Sequence, residues 1–255
     1  MNDFMLKGYF MIFDPLFIAI MVVGMVLGGL TQWYIKSTFK KYSKKPLARP
    51  MTGAQVAART LQKNSLPVVD SSGNVSQTAF GKRPVSIRSV PGKLTDHFDP
   101  RSNTVGLSDS VYGADSISAA AVAAHEVGHA VQTAQAYLPI RIRSALAPVA
   151  SFGSSISIWL IIAGLFLFGG TALGMNLMWL GVALFASAVL FQLVTLPVEF
   201  DASRRAMIYL RETGVLTADE LPKARKVLTA AALTYVAAAL VAVLQLMYWL
   251  ALARD

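Results

Sequence analysis

The sequence predicts a mainly α integral membrane protein, in which four transmembrane helices carry one α+β domain outside the bilayer. Three observations lead there. Hydrophobic residues are 55% of the 255-residue chain and charged ones only 15%, against about 25% charged in an average soluble domain. Four stretches are apolar enough and long enough to cross about 30 Å of hydrocarbon. The basic residues are also unevenly placed: of 23 Lys and Arg, 15 fall between the first and second stretches and six between the third and fourth.

The first span, residues 15–35, reads PLFIAIMVVGMVLGGLTQWYI and opens at Asp14-Pro15, residue types that suit a helix N-terminus. It is too long, and too poor in a basic leader, for a cleaved signal peptide. Residues 155–173 and 176–197 form an apolar hairpin around the uncharged GTALGMN, and residues 228–251 make the fourth span. The positive-inside rule places both basic segments, 36–150 and 199–227, in the cytoplasm, with both termini and the short hairpin turn outside. The net charge of +9 resides in the first basic segment. Its cluster Lys36, Lys40, Lys41, Lys44, Lys45 and Arg49 abuts the first span, a placement that suits anionic lipid of the surrounding bilayer and not nucleic acid.

Within segment 36–150, Thr52-Gly-Ala-Gln55 has the form of a capping box and predicts a helix to about Asn64. Val85–Val90 alternates as a strand does. Lys93–Phe98 and Thr104–Leu107, separated by Asp-Pro-Arg-Ser-Asn, predict a hairpin. Ser71–Pro84 reads as a flexible surface loop. An Ala-rich helix is expected from Asp115 or Ser116 to about Ala136, ended by Pro139.

That helix carries His125, Glu126, Val127, Gly128 and His129, with two of the chain's three histidines four residues apart. Residues so spaced share one helix face, about 6 Å apart along the axis, so both imidazoles can reach one Zn²⁺ through bonds of about 2 Å. Such a pair around a glutamate is a zinc-hydrolase signature, in which the glutamate takes the proton of the attacking water and passes it to the leaving amine. The chain has no cysteine, so His, Glu and Asp are the available ligands. A catalytic zinc usually has three protein ligands, which leaves the third to be found in His97 or a carboxylate. Glu199, in LPVEFDASRRA where the third span ends, is the best placed carboxylate, because acids at the end of an apolar helix are usually functional. Asp201, two residues on, points to the opposite side of the helix.

AAHEVGHAVQ, the apolar hairpin and then VEFDASRRA resemble, over essentially the whole chain, the YugP-like membrane-bound neutral zinc metallopeptidases of bacterial cell membranes. The order of elements is also similar to the more distant HtpX and CAAX prenyl protease gluzincins. The resemblance implies a zincin-like domain with one Zn²⁺ per chain, held by His125, His129 and Glu199, and Glu126 as general acid/base. It implies an aspartate four residues after the ligand glutamate that hydrogen-bonds and orients the ligands, but that position is Ser203, so Ser203, Asp201 or a backbone carbonyl is left to do so. Candidates for stabilising the oxyanion are His97, Arg204, Arg205, Tyr112 and Tyr137. The expected substrate is a protein segment near the membrane or exposed to the cytoplasm, and the hairpin either holds it in extended form or only packs the domain. Two other readings are a non-catalytic zinc-binding scaffold, which an intact Glu126 argues against, and a transporter, which spans nearly devoid of ionisable groups argue against.

Overall fold

Each long apolar stretch becomes part of a longer helix, except that the second stops short of its expected end. The computed structural model describes residues 14–69, 75–76 and 83–254. In chain order the elements are α1 (Pro15–Ser43), α2 (Gly53–Lys63), β1 (Val68–Val69), β2 (Val75–Ser76), β3 (Val85–Val90), β4 (His97–Asp99), β5 (Thr104–Ser108) and α3 (Asp109–Tyr112). Helix α4 (Ile117–Ala134) follows, then α5 (Leu138–Ile162) with a π-helical turn at Ala163–Leu167, α6 (Ala172–Glu212) and α7 (Leu221–Arg254). Among the described residues α1, α5 with its π turn, α6 and α7 are long and apolar enough to cross a membrane.

The hairpin turn differs from its expected place. The second apolar helix ends at Leu167, not Leu173, and the next begins at Ala172. Hydropathy registers only that residues 168–173 are uncharged, whereas the backbone reverses at Gly170, which has φ +79°. Thr171 then caps α6, its hydroxyl accepting from Gly174 N–H at 3.1 Å. Pro139 likewise does not end the motif helix. Ala136 adopts a left-handed conformation (φ +52°), and the N–H groups of Ala136 and Tyr137 donate to the carbonyls of Thr133 and Gln132, closing a Schellman motif. Pro139 instead sits in the first turn of α5, where its missing N–H costs nothing. The expected strand Lys93–Phe98 forms only from His97, and the expected loop Ser71–Pro84 lies outside the described residues except for β2, Arg83 and Pro84.

The chain divides into two compact units whose boundaries cut the long helices. The apolar unit contains residues 14–31, 141–196 and 234–254 of the described chain. Its core joins Ile20, Ile161, Leu165, Met178 and Val182 to an aromatic cluster of Phe17, Tyr248 and Trp249. Small residues let α5 and α6 approach: a Cβ on Gly181 would lie 2.8 Å from the Ser157 carbonyl oxygen. Leu16, Met25, Trp159 and Leu167 remain exposed, as side chains bathed in lipid would be.

The second unit contains residues 32–140 and 197–233. The sequence expected the corresponding segments to be 36–150 and 199–227. A five-stranded sheet, ordered β2-β1-β3-β5-β4, has parallel β1–β3 and β3–β5 pairs and antiparallel β1–β2 and β4–β5 pairs. The β4–β5 hairpin pairs His97 with Gly106 and Asp99 with Thr104, which leaves β4 at the sheet's edge. Helix α2 opens with the capping box of Thr52 and Gln55 and lays Val56, Ala57 and Leu61 into a core shared with Val85, Val105, Leu107 and α4.

Helix α4 is buried on nearly every side, so its Ala-rich sequence serves packing. Its start is held from two directions. Ser116 caps it, the hydroxyl accepting from Ala119 N–H at 3.2 Å. The segment after α1 lies along it, with Ile117 N–H donating to the Lys45 carbonyl and Leu47 N–H to the Asp115 carbonyl, each at 3.0 Å. At the motif itself Gly128 meets backbone: a Cβ there would lie 2.8 Å from the Ala202 carbonyl oxygen and 3.1 Å from Ala202 Cα. Substituting Gly128→Ala is therefore expected to force α4 and α6 apart, lowering stability by about 1–3 kcal/mol and metal retention with it. Thermal unfolding and metal content of the same preparation check this, and a variant unchanged in both would show that the contact relaxes freely.

Candidate metal centre

Helix α4 supplies His125, Glu126 and His129, and α6 brings Glu199 against them from 74 residues along the chain. The Nε2 atoms of both imidazoles face one carboxylate oxygen: His125 Nε2 lies 3.3 Å and His129 Nε2 3.6 Å from Glu199 Oε2. All three potential ligand atoms fall within 4.8 Å of one another. A tetrahedral ion with bonds of about 2.1 Å sets neighbouring ligands about 3.4 Å apart, so the two histidine–carboxylate spacings match edges of such a tetrahedron. Glu199 is 3% exposed.

The hydrogen bonds decide which ring nitrogen of His129 carries a proton. Gln132, fully buried on the next turn of α4, donates its amide N–H groups to the Val198 carbonyl at 2.8 Å and to Asp201 Oδ2 at 3.0 Å. Both are acceptors, so the Gln132 amide orientation is determined and its Oε1 must accept. His129 Nδ1, 3.1 Å from that oxygen, is therefore the donor. The lone pair of Nε2 then faces an acceptor oxygen of Glu199 across a buried gap. Two acceptors so placed call for a cation between them, either a proton or a metal ion.

The electrostatics point the same way. Burial pushes the His129 imidazole down, but its bond to Glu199 and the charges of Glu126 and Glu199 outweigh this, so the net shift is upward: the site favours positive charge. Burial raises the Glu126 carboxyl above the usual carboxylate range; the two imidazoles oppose that shift, and Glu199 and Asp96 add to it. The donor set fits zinc, with His125, His129 and Glu199 as the residues that would hold it.

The remaining candidates fall into separate places. Ser203 Oγ lies 3.2 Å from His125 Nδ1, on the side of the ring away from Glu199. Asp201 is not in the cluster. It binds Arg204 Nη2 at 2.6 Å, Arg205 Nε and Gln132, so it bears on His129 only through that amide. Arg204 and Arg205 are accordingly occupied with Asp201, and Arg205 also donates to Gln135 Oε1 at 2.7 Å. Tyr137 stacks beneath the Arg205 guanidinium, and Tyr112 packs on the core of the second unit. His97 is exposed, with Nδ1 2.8 Å from the Thr95 carbonyl and its ring over Gly106, and it does not join the His125–His129–Glu199 group.

Two residues escaped the sequence reading. Gln132 lies inside the motif stretch, three residues after His129, where helical spacing alone would put it beside that ring. Asp96 gives no such signal. Its carboxylate accepts from Ser108 N–H at 2.7 Å and from the Ser108 hydroxyl at 3.1 Å, ties the approach to β4 onto the end of β5, and adds negative charge near Glu126.

A two-histidine, one-glutamate group with a second glutamate beside it, in a chain with four helices among the described residues long and apolar enough to cross a membrane, is the pattern of the membrane zinc-metallopeptidase class. The chain belongs to the family described as "Putative neutral zinc metallopeptidase", whose pattern matches residues 17–254. It is 42% identical over 233 residues, 91% of this chain and 94% of the relative, to the "Putative membrane protease YugP" of Bacillus subtilis (strain 168). No solved structure matches it.

Because Gln132 holds the His129 tautomer, Gln132→Leu is expected to weaken zinc binding by about 10–100-fold. Competition with a chromophoric chelator measures this. Wild-type affinity in that variant would mean that the His129 ring needs no such support.

Proposed function

We propose that the protein is a membrane-anchored zinc endopeptidase with one zinc per chain, held by His125, His129 and Glu199, that cuts protein segments near the membrane or exposed to the cytoplasm. The observation that carries this reading is the buried gap between the imidazole Nε2 atoms and Glu199 Oε2, with Glu126 one residue from the first histidine. Zinc supplies Lewis acidity, polarising a carbonyl and making water a nucleophile at neutral pH.

The chain's own residues do the rest. Glu126, buried and with its carboxyl drawn upward, takes the proton of the attacking water and passes it to the leaving amine nitrogen. Gln132 and Ser203 hold the two histidine rings at Nδ1, so that each Nε2 stays aimed at the centre. The edge strand β4 offers main-chain donors and acceptors to a substrate in extended form, next to the helix that carries the motif. The basic residues concentrated in residues 36–150 and 199–227 support a cytoplasmic site, with both termini outside.

Glu126→Gln is expected to reduce casein cleavage at least about 100-fold while sparing zinc content, because it removes the proton acceptor and leaves the ligands. Glu199→Ala is expected to lose the metal as well. Metal analysis and proteolysis on the same detergent-purified preparations separate the two, and a zinc-replete Glu126→Gln protein with full activity would sink the mechanism. A zinc-bound wild type that cuts nothing would favour a scaffold instead.

The absence of cysteine makes the sidedness directly measurable. In intact cells a membrane-impermeant maleimide should label Thr171→Cys, in the exposed hairpin turn, and should label Lys93→Cys only after permeabilisation. The reverse pattern would put the site outside.

A further inference from the structure

Beginning at Ser203, whose hydroxyl supports His125, the second unit has a groove along the C-terminal part of α6 and the first turns of α7. One end, about 470 Å³, is walled by Phe200, Met207, Ile208 and Leu228. The other end, about 630 Å³, is walled by Tyr34, Leu221 and Pro222, and Met207, Arg211, Arg225 and Thr229 line both. The charge is one-sided. Arg211 and Arg225 border both ends, Lys226 the second and Arg204 the first, and among the described residues no carboxylate lines either. Arg204 is held by Asp201. Arg211, Arg225 and Lys226 are exposed, and the side chain of none of them makes a hydrogen bond or ion pair with another described residue.

Unpaired cations over apolar walls call for a ligand that is anionic at one end and hydrocarbon at the other. Both walls continue helices that are long and apolar enough to cross a membrane, so hydrocarbon chains lie within reach along the same helices. A free phosphate ion would leave the apolar walls unused, and an acidic peptide has no reason to prefer a groove built on such helices. We propose that this groove is a binding site for one anionic glycerophospholipid, with its phosphate between Arg211 and Arg225 and an acyl chain along Phe200, Met207, Ile208 and Leu228. The site is distinct from the basic cluster at the end of α1, and it stands on the groove and the apolar helices whether or not the protein cuts peptides.

The test uses the full chain in neutral detergent at 150 mM salt, titrated with palmitoyl-oleoyl phosphatidylglycerol or the matching phosphatidylcholine and read by native mass spectrometry. One saturable phosphatidylglycerol per chain is expected, with phosphatidylcholine much weaker. Arg211→Gln with Arg225→Gln should weaken phosphatidylglycerol binding about thirty-fold, each arginine near a headgroup contributing about 1 kcal/mol. Lys40→Gln with Lys41→Gln should leave the tight site in place. Ile208→Asn, which changes a wall and no charge, should also weaken it, and supplies an independent arm if the double arginine variant unfolds. Equal affinity for the two lipids, or wild-type binding in both groove variants, would overturn the proposal. So would displacement of the lipid by 10 mM inorganic phosphate or by an acidic peptide, which would make the groove an anion or peptide site.

Discussion

The structure turns on a carboxylate buried against two imidazoles. An ionised glutamate at 3% exposure is costly unless a cation stands close to it. Glu199 has no Lys or Arg partner among the described residues; its neighbours are the Nε2 atoms of His125 and His129. Much of the local architecture follows from supplying a cation at that point. Gly128 lets α6 lie against α4 at backbone contact, which is what brings Glu199 within 3.3 Å of an imidazole.

A second layer keeps the rings from turning. His129 is held by Gln132, Gln132 by Asp201 and the Val198 carbonyl, and Asp201 by Arg204 and Arg205. The chain ends at the surface, where Arg205 also grips Gln135 just beyond the end of α4. Each partner in it belongs either to the motif helix or to the segment around Glu199, so the network ties the two halves of the site together as well as aiming the ligand. His125 has a simpler support in the Ser203 hydroxyl, which brings no charge.

The rest of the second unit serves to hold α4. The strap after α1 bonds to its first residues, Ser118 reaches the Phe39 carbonyl at 2.9 Å, and α2 and β5 pack their apolar faces against its alanines. Asp96 anchors the chain leading into β4 to Ser108 at the end of β5.

The sequence by itself determined what short spacing and composition encode. His125 and His129 share a face because helical periodicity requires it, the four apolar stretches are long enough to span a membrane and are helical, the form that satisfies its own backbone in hydrocarbon, and Thr52 with Gln55 closes its capping box within one turn. Glu199 was legible as the best placed carboxylate for a third ligand, at the end of an apolar helix, and the resemblance implied the same residue; its spacing of 3.3 Å and 3.6 Å from the two imidazoles came only with the fold. Tertiary structure alone decided the parallel pairing of β3 with β5, the edge position of β4, the role of Asp96 and the acceptors on α6 that orient the Gln132 amide and so fix the tautomer of His129. It also moved the hairpin turn to Phe168–Thr171, since hydropathy averages over a window while a turn depends on individual backbone angles. The physical reason is common to all of these: they depend on contacts between residues far apart in the chain or on local geometry, and neither leaves a periodic trace in the sequence.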